Sequence, residues 1–149
     1  MLRFTKKSTG DAQEPLTTLT LPWESRTKSR LRVRLDNGNE AGLFLERGII
    51  LRDGDYLQTD DGITLEIKAA PETVSTVRCS DPLQMARICY HLGNRHVELE
   101  ITEGRIRYPH DHVLDKMLIS MGHEVKVEQA PLEPEAGAYD SSHGHHHHD

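Results

Sequence analysis

The chain has no long apolar run. Its 149 residues are 36% hydrophobic and 28% charged, and no stretch reaches the ~18 apolar residues that a membrane span needs. The amino terminus, Met1-Leu2-Arg3-Phe4-Thr5-Lys6-Lys7, opens on charge and lacks an apolar signal core, so secretion is not expected. Cysteine is scarce. Cys79 and Cys89 make neither a CxxC pair nor a disulfide framework, which fits a reducing cytoplasm. Positive charge is not in excess either. A formal net charge of −6, with Lys and Arg unclustered, argues against broad nucleic-acid binding. HExxH, a serine elbow and a P-loop are all missing, so the familiar marks of a metalloprotease, a serine hydrolase and an NTPase are absent. No internal repeat is visible.

What is present in the first half is strand signal. Leu2 to Thr5 is a short candidate, and Leu16 to Leu21 is β-rich and ended by Pro22-Trp23. Leu31-Arg32-Val33-Arg34-Leu35 alternates with period two, as a half-buried strand does. Asp36-Asn37-Gly38 then supplies turn chemistry, because Asn-Gly readily takes positive φ, and Ala41 to Leu45 pairs back. Asp53-Gly54-Asp55 is another turn, and Tyr56–Thr59 with Ile63–Ile67 across Asp61-Gly62 forms a further hairpin. No helix of useful length is expected before Lys68. Residues 1–70 read as a small all-β domain, with Ala69-Ala70-Pro71 as the joint.

The pattern then changes. Thr73 to Val77 is a strand. Asp81-Pro82 starts a helix, with Asp as N-cap and Pro in the first helical position. Leu83, Ala86 and Tyr90, with Met85, Cys89 and Leu92, give its apolar face, and Gly93-Asn94 ends it where φ must turn positive. Val97 to Ile101 alternates, Glu103-Gly104 turns, and Ile106 to Tyr108 returns until Pro109. Val113, Leu114, Met117, Leu118 and Met121 mark a second amphipathic helix, stopped by Gly122, and Glu124 to Glu128 is a last strand. The order β-α-β-β-α-β over residues 71–128 is the ferredoxin-like plan, so the fold class is α+β. Residues 129–149 carry Pro131, Pro134, acids, small residues and histidines. They have too little apolar surface to offset chain entropy and are expected to be a disordered His-rich tail.

The histidines are the residues that carry chemistry. His96 follows Gly93-Asn94-Arg95 and precedes a strand. One imidazole cannot hold a metal tightly, but two copies across a dimer axis can. His110 and His112 are two apart; on a helix they diverge and in extended chain they share a face. Here they sit on a loop at a helix start, with Asp111 as the expected N-cap, so a metal-binding pair and a solvated loop both remain open. His91, near a helix C-terminus where the dipole favours it, and His123 read as structural. His143, His145, His146, His147 and His148 close the chain. A purification tag has this form too, although the run is broken by Gly144 and closed by Asp149. A native tail of this kind would capture borderline divalent ions and lose them as pH falls through about 6.5. Cys79 lies where copper carriers of this plan place a CxxC, but its second cysteine is missing; Cys79 and Cys89 read as small apolar residues.

Taken together, Tyr90-His91-Leu92-Gly93-Asn94-Arg95-His96, Arg107-Tyr108-Pro109-His110-Asp111-His112-Val113-Leu114, the Gly48 to Asp55 run, the Met117 to His123 segment and the His-rich end resemble the UreE family of urease accessory nickel chaperones. The resemblance covers essentially the whole chain, and its LGNRH element is specific. It implies a cytoplasmic homodimer that binds Ni2+, with Zn2+ or Cu2+ able to substitute. It also implies delivery to apo-urease through a complex with the accessory GTPase UreG. It implies a β-rich first domain for protein partners and a ferredoxin-like second domain forming the dimer interface. The family's interfacial nickel histidine matches His96, its additional HxH site matches His110 and His112, and its metal-collecting terminus matches His143 and His145 to His148. No membrane or nucleic-acid partner is implied. Two rival readings remain: a metal store or interaction module without directed delivery, and a metal-dependent hydrolase. The hydrolase needs three fixed ligands, an open position and a nearby acid or base.

Overall fold

Alternating apolar residues and glycine-bearing turns build the first part of the chain, and capped amphipathic helices enter only after Pro71. A computed structural model describes residues 1–9 and 14–137. The architecture is mixed α+β, with compact units at Met1–Ala70 and Pro71–Ala136. No helix among the described residues is long and apolar enough to cross a membrane.

The first unit contains β1 (Leu2–Ser8), β2 (Thr18–Leu21), a single-turn α1 (Trp23–Arg26), β3 (Arg30–Arg34), β4 (Glu40–Phe44), β5 (Tyr56–Thr59) and β6 (Thr64–Ala69). They form one mixed sheet in the order β2-β6-β5-β1-β4-β3. The β3–β4 and β5–β6 pairs are local hairpins, whereas β1–β4 and β2–β6 are parallel. Gly38 sits at φ +92° in the β3–β4 turn, where a side chain would be strained. The two edge strands meet beyond that turn: Asp36 N–H donates to Thr18 O at 3.0 Å, and the Thr18 and Thr20 hydroxyls donate to the Asp36 carboxylate. Burial alone would raise that carboxyl, but these two donors outweigh it and hold the group below its ordinary value. Inward residues such as Phe4, Leu43, Leu57, Leu65 and Ile67 fill the core.

The second unit contains β7 (Glu72–Arg78), α2 (Pro82–Gly93), β8 (Glu100–Thr102), β9 (Arg105–Pro109), α3 (His112–Ser120) and β10 (Lys126–Ala130). The sheet order is β10-β7-β9-β8, and every neighbouring pair is antiparallel. Val77, Ile106 and Tyr108 on one face of the sheet share a core with Ile88 and Leu92 of α2 and Leu114 and Leu118 of α3. Both helices therefore cover the same face. Asp81 caps α2 by accepting from Leu83 N–H, as its position before Pro82 leads one to expect.

Four details differ from the sequence reading. The buried stripe of α2 is Ile88 and Leu92, while Leu83 and Tyr90 are 57% and 65% exposed. Apolar residues surround this helix, so spacing alone does not select the inward face. Gly93 stays inside α2, and the positive φ falls on His96 at +57°. Residues 97–99 lie outside any strand, so β8 spans only Glu100–Thr102. Lastly, the disorder expected over residues 129–149 does not hold at its start. Gln129 and Ala130 belong to β10, Leu132 is 1% exposed, and Glu133 and Glu135 N–H groups donate to Glu100 Oε1 and Leu99 O, each at 2.8 Å. The sequence window is poor in apolar residues, but Leu132 supplies a buried anchor and the backbone finds acceptors.

Candidate metal centre

His96 owes its position to the way α2 stops. Leu92 is fully buried and fixes the last turn. Asn94, Arg95 and His96 N–H then donate to Tyr90, Leu92 and Gly93 carbonyls at 3.1, 3.0 and 3.0 Å. This tight coil requires left-handed backbone at His96, a conformation that is uncommon outside glycine, though His is among the residues that tolerate it. The half-buried Val97 and the buried Leu99 then turn the chain into the core, and the residue at 96 is left exposed.

His110 and His112 sit on either side of a helix cap. His110 N–H donates to Thr73 O at 3.1 Å, which ties the end of β9 to the start of β7. Asp111 Oδ1 accepts from Val113 and Leu114 N–H at 2.9 and 3.1 Å, so the expected N-cap is in place. His112 is the exposed first residue of α3. Replacing Asp111 with alanine is expected to cost about 1 kcal/mol of stability, while Asp111→Asn keeps most of it. Thermal unfolding of the two variants measures the difference, and equal melting temperatures would remove the cap from this account.

Two of the three ring-bearing segments come together. Arg95 and Val97, which flank His96, line a shallow cleft of about 250 Å³ with Asp111, Val113 and Leu114, which flank or follow His112. His110 is not among the residues lining that cleft. Its Nδ1 lies 3.0 Å from Asp115 Oδ2 and 3.2 Å from Ser75 Oγ. Among the described residues no three His, Cys, Asp or Glu side chains gather into a metal-holding group, so His96, His110 and His112 do not form one site within a single chain. His143, His145, His146, His147 and His148 lie outside the described residues.

The other candidates have the following surroundings. His91 is exposed and stacks edge-on against Tyr90, ring centroids 5.2 Å apart. Cys79 and Cys89 are partly buried against the second core, and burial pushes the Cys89 thiol up, away from thiolate. Sequence reasoning missed Asp115 and Ser75, which contact the His110 ring, and Tyr108, whose hydroxyl donates to Asp115. The available signal was an acid, Asp115, lying between Leu114 and Leu118 on the buried side of α3; an acid is rarely placed there without partners.

The comparisons with known proteins agree with one another. The family model for the UreE urease accessory protein N-terminal domain matches residues 3–70, and that for its C-terminal domain matches residues 72–149. The chain is 56% identical over 148 residues to a urease accessory protein UreE from Tolumonas auensis, covering 97% of this chain and 79% of the relative. It is 61% identical over 130 residues to the protein of that name from Pseudomonas putida strain GB-1, covering 86% and 79%. For the protein of that name from Citrobacter koseri the identity is 59% over 132 residues, covering 87% of each. With both halves matched by family models and such relatives aligned over most of its length, this chain belongs to the UreE family of urease accessory proteins.

Proposed function

We propose that the protein is a cytoplasmic nickel metallochaperone whose homodimer holds Ni2+ between two copies of His96 and delivers it to apo-urease through the accessory GTPase UreG. The observation that carries this reading is the exposed imidazole at His96, set on left-handed backbone, in a chain whose described residues offer no three-donor metal group. Strained backbone of this kind persists where surrounding structure enforces it, often at functional sites. A carrier needs a grip that another protein can replace ligand by ligand, and an exposed, incomplete shell suits that better than a closed four-ligand site. The cargo fits the donors, since imidazole accepts nickel, zinc and copper alike.

The second unit orders its strands β10-β7-β9-β8, which supports a ferredoxin-like reading, and in this reading it supplies the dimer interface. The first unit, with its own sheet and core, is the partner-binding part. The segment after β10 adds a route for the metal. Glu135 N–H is bonded to Leu99 O, three residues beyond His96 in sequence, which supports this route. Five residues lie between Gly137 and His143, a contour of up to ~20 Å in fully extended chain. His143 and His145 to His148 would gather ions and pass them to His96, with His110 and His112 as further stations.

Removing residues 143–149 is the test. Nickel capacity is expected to fall by more than one ion per chain, while one tight ion per dimer remains, as read by isothermal titration combined with native mass. If the truncated protein retains no nickel, the tail is the only binder and the His96 site is wrong. Hydrolysis of model esters or peptides by the nickel- or zinc-loaded protein above the metal blank would favour an enzyme instead.

A further inference from the structure

Asp115 is the acid that function has not yet absorbed. It is buried on α3, and its Oδ1 accepts from the Ser75 hydroxyl at 2.6 Å and from the Tyr108 hydroxyl at 2.7 Å. Ser75 and Tyr108 are both fully buried. Burial and the neighbouring Asp115 carboxylate push the Tyr108 phenol far up, so it keeps its proton and donates it. The other carboxylate oxygen, Oδ2, faces His110 Nδ1 at 3.0 Å.

Proton accounting then fixes the ring. Each hydroxyl has one proton, and both are directed at Asp115 Oδ1. Ser75 therefore has none left for His110 Nδ1, 3.2 Å from its oxygen. An unprotonated Nδ1 would set its lone pair against the carboxylate lone pairs of Oδ2. A protonated Nδ1 instead donates to Oδ2, with Ser75 Oγ as a secondary acceptor. In neutral imidazole the other nitrogen, Nε2, then holds the free lone pair. Nε2 has no hydrogen-bond partner among the described residues, and the His110 side chain is 37% exposed.

We propose that Asp115 is a positioning residue that holds His110 as the Nδ1–H tautomer and so presents Nε2, lone pair outward, to an incoming divalent cation. The metal half of this statement rests on the reading of His110 as a nickel station; the tautomer half rests on the network alone. Carboxylates behind metal-binding histidines orient the ring and raise its basicity. This carboxylate is held by β7 through Ser75, by β9 through Tyr108 and by α3 through its own backbone. His110 is thereby oriented before any metal arrives, whereas among the described residues no hydrogen bond or ion pair orients the ring of His112.

The test is isosteric. In Asp115→Asn the amide oxygen can keep both hydroxyl donors, and the amide nitrogen then takes the place of Oδ2. That nitrogen donates, so His110 Nδ1 must accept and Nε2 must carry the proton. Long-range 1H–15N correlation spectra of the metal-free full-length protein, recorded at about pH 8 where imidazole is neutral, read the tautomer directly. Nickel titration followed at the His110 ring resonances reads the site. The wild type is expected to show Nδ1–H. Asp115→Asn is expected to show Nε2–H and a 10- to 100-fold weaker response to nickel at that ring. Ser75→Ala, which leaves the carboxylate, is expected to keep Nδ1–H.

A wild-type ring protonated on Nε2 overturns the proposal, and that measurement needs no variant to fold. A flipped tautomer with unchanged nickel response overturns the presenting role. If the wild-type tautomer is Nδ1–H but nickel never perturbs the His110 ring, the metal reading of His110 fails and the tautomer assignment stands, so the two failures are told apart.

Discussion

Changing His96 to alanine is expected to weaken the tight nickel site at least 100-fold, about 2.8 kcal/mol at 1.4 kcal/mol per tenfold. The size follows from symmetry. One substitution in the gene removes a ligand from each subunit, and a two-fold site built on that residue loses both at once. Among the described residues no three donors come together to replace the lost pair. Isothermal titration of nickel, paired with urease activation, measures the loss, and an unchanged result in both assays ends the assignment.

The glycine substitution separates function from fold at the same position. Alanine at φ +57° keeps the unfavourable left-handed backbone, which costs an L-residue roughly 1–2 kcal/mol. Glycine pays almost none of it. His96→Gly is therefore expected to lose nickel as completely as His96→Ala while melting about 2–4 °C above it. Equal melting temperatures would mean that the turn stores no strain. A position where the better-folded variant is the inactive one is what a binding residue held in strained backbone should look like.

Local chemistry in the sequence was enough for the caps, the hairpins and the alternation of β and α in the second unit. Asp81 and Asp111 stand where side-chain oxygens meet free N–H groups, and both are visible in the sequence because they precede apolar runs at helical spacing. Non-local pairing left no such trace. The parallel β1–β4 and β2–β6 pairs join segments that local patterns cannot match. The inward face of α2 was equally hidden, since Leu83, Met85 and Cys89 are apolar beside Ile88 and Leu92, and only the packing chooses. Of the site, His96, His110 and His112 were legible as residues and not as geometry. The strain moved from Gly93 to His96, and the polar network behind His110 needed Ser75 and Asp115, 40 residues apart.

The first unit holds the second large effect. Arg26 ends the single turn of α1 and is 0% exposed. Its Nε donates to Leu21 O at 3.1 Å and its Nη1 to Leu51 O at 3.2 Å, while Leu51 N–H donates to Arg26 O at 2.9 Å. Residues 45–55 belong to no strand, so their backbone must find partners outside a ladder. Arg26 ties that segment to the end of β2. The Trp23 ring lies 5.4 Å from the Arg26 guanidinium and 5.0 Å from that of Arg52.

Arg26→Ala opens a cavity and leaves Leu51 O without this donor, for an expected loss of about 3–5 kcal/mol. That approaches the whole stability of a small domain. Arg26→Met restores volume without donors and is expected to recover about half, because Leu21 O still accepts from Ala70 N–H at 2.9 Å. Hydrogen exchange at Leu51 and through β2 reads the local loss even where global melting is not two-state. The second unit has its own core, so nickel affinity at His96 is expected to persist in Arg26→Ala while urease activation falls. Loss of the nickel site together with the first unit would mean that metal holding and partner docking are not divided between the two units, and that part of the functional reading would have to be abandoned.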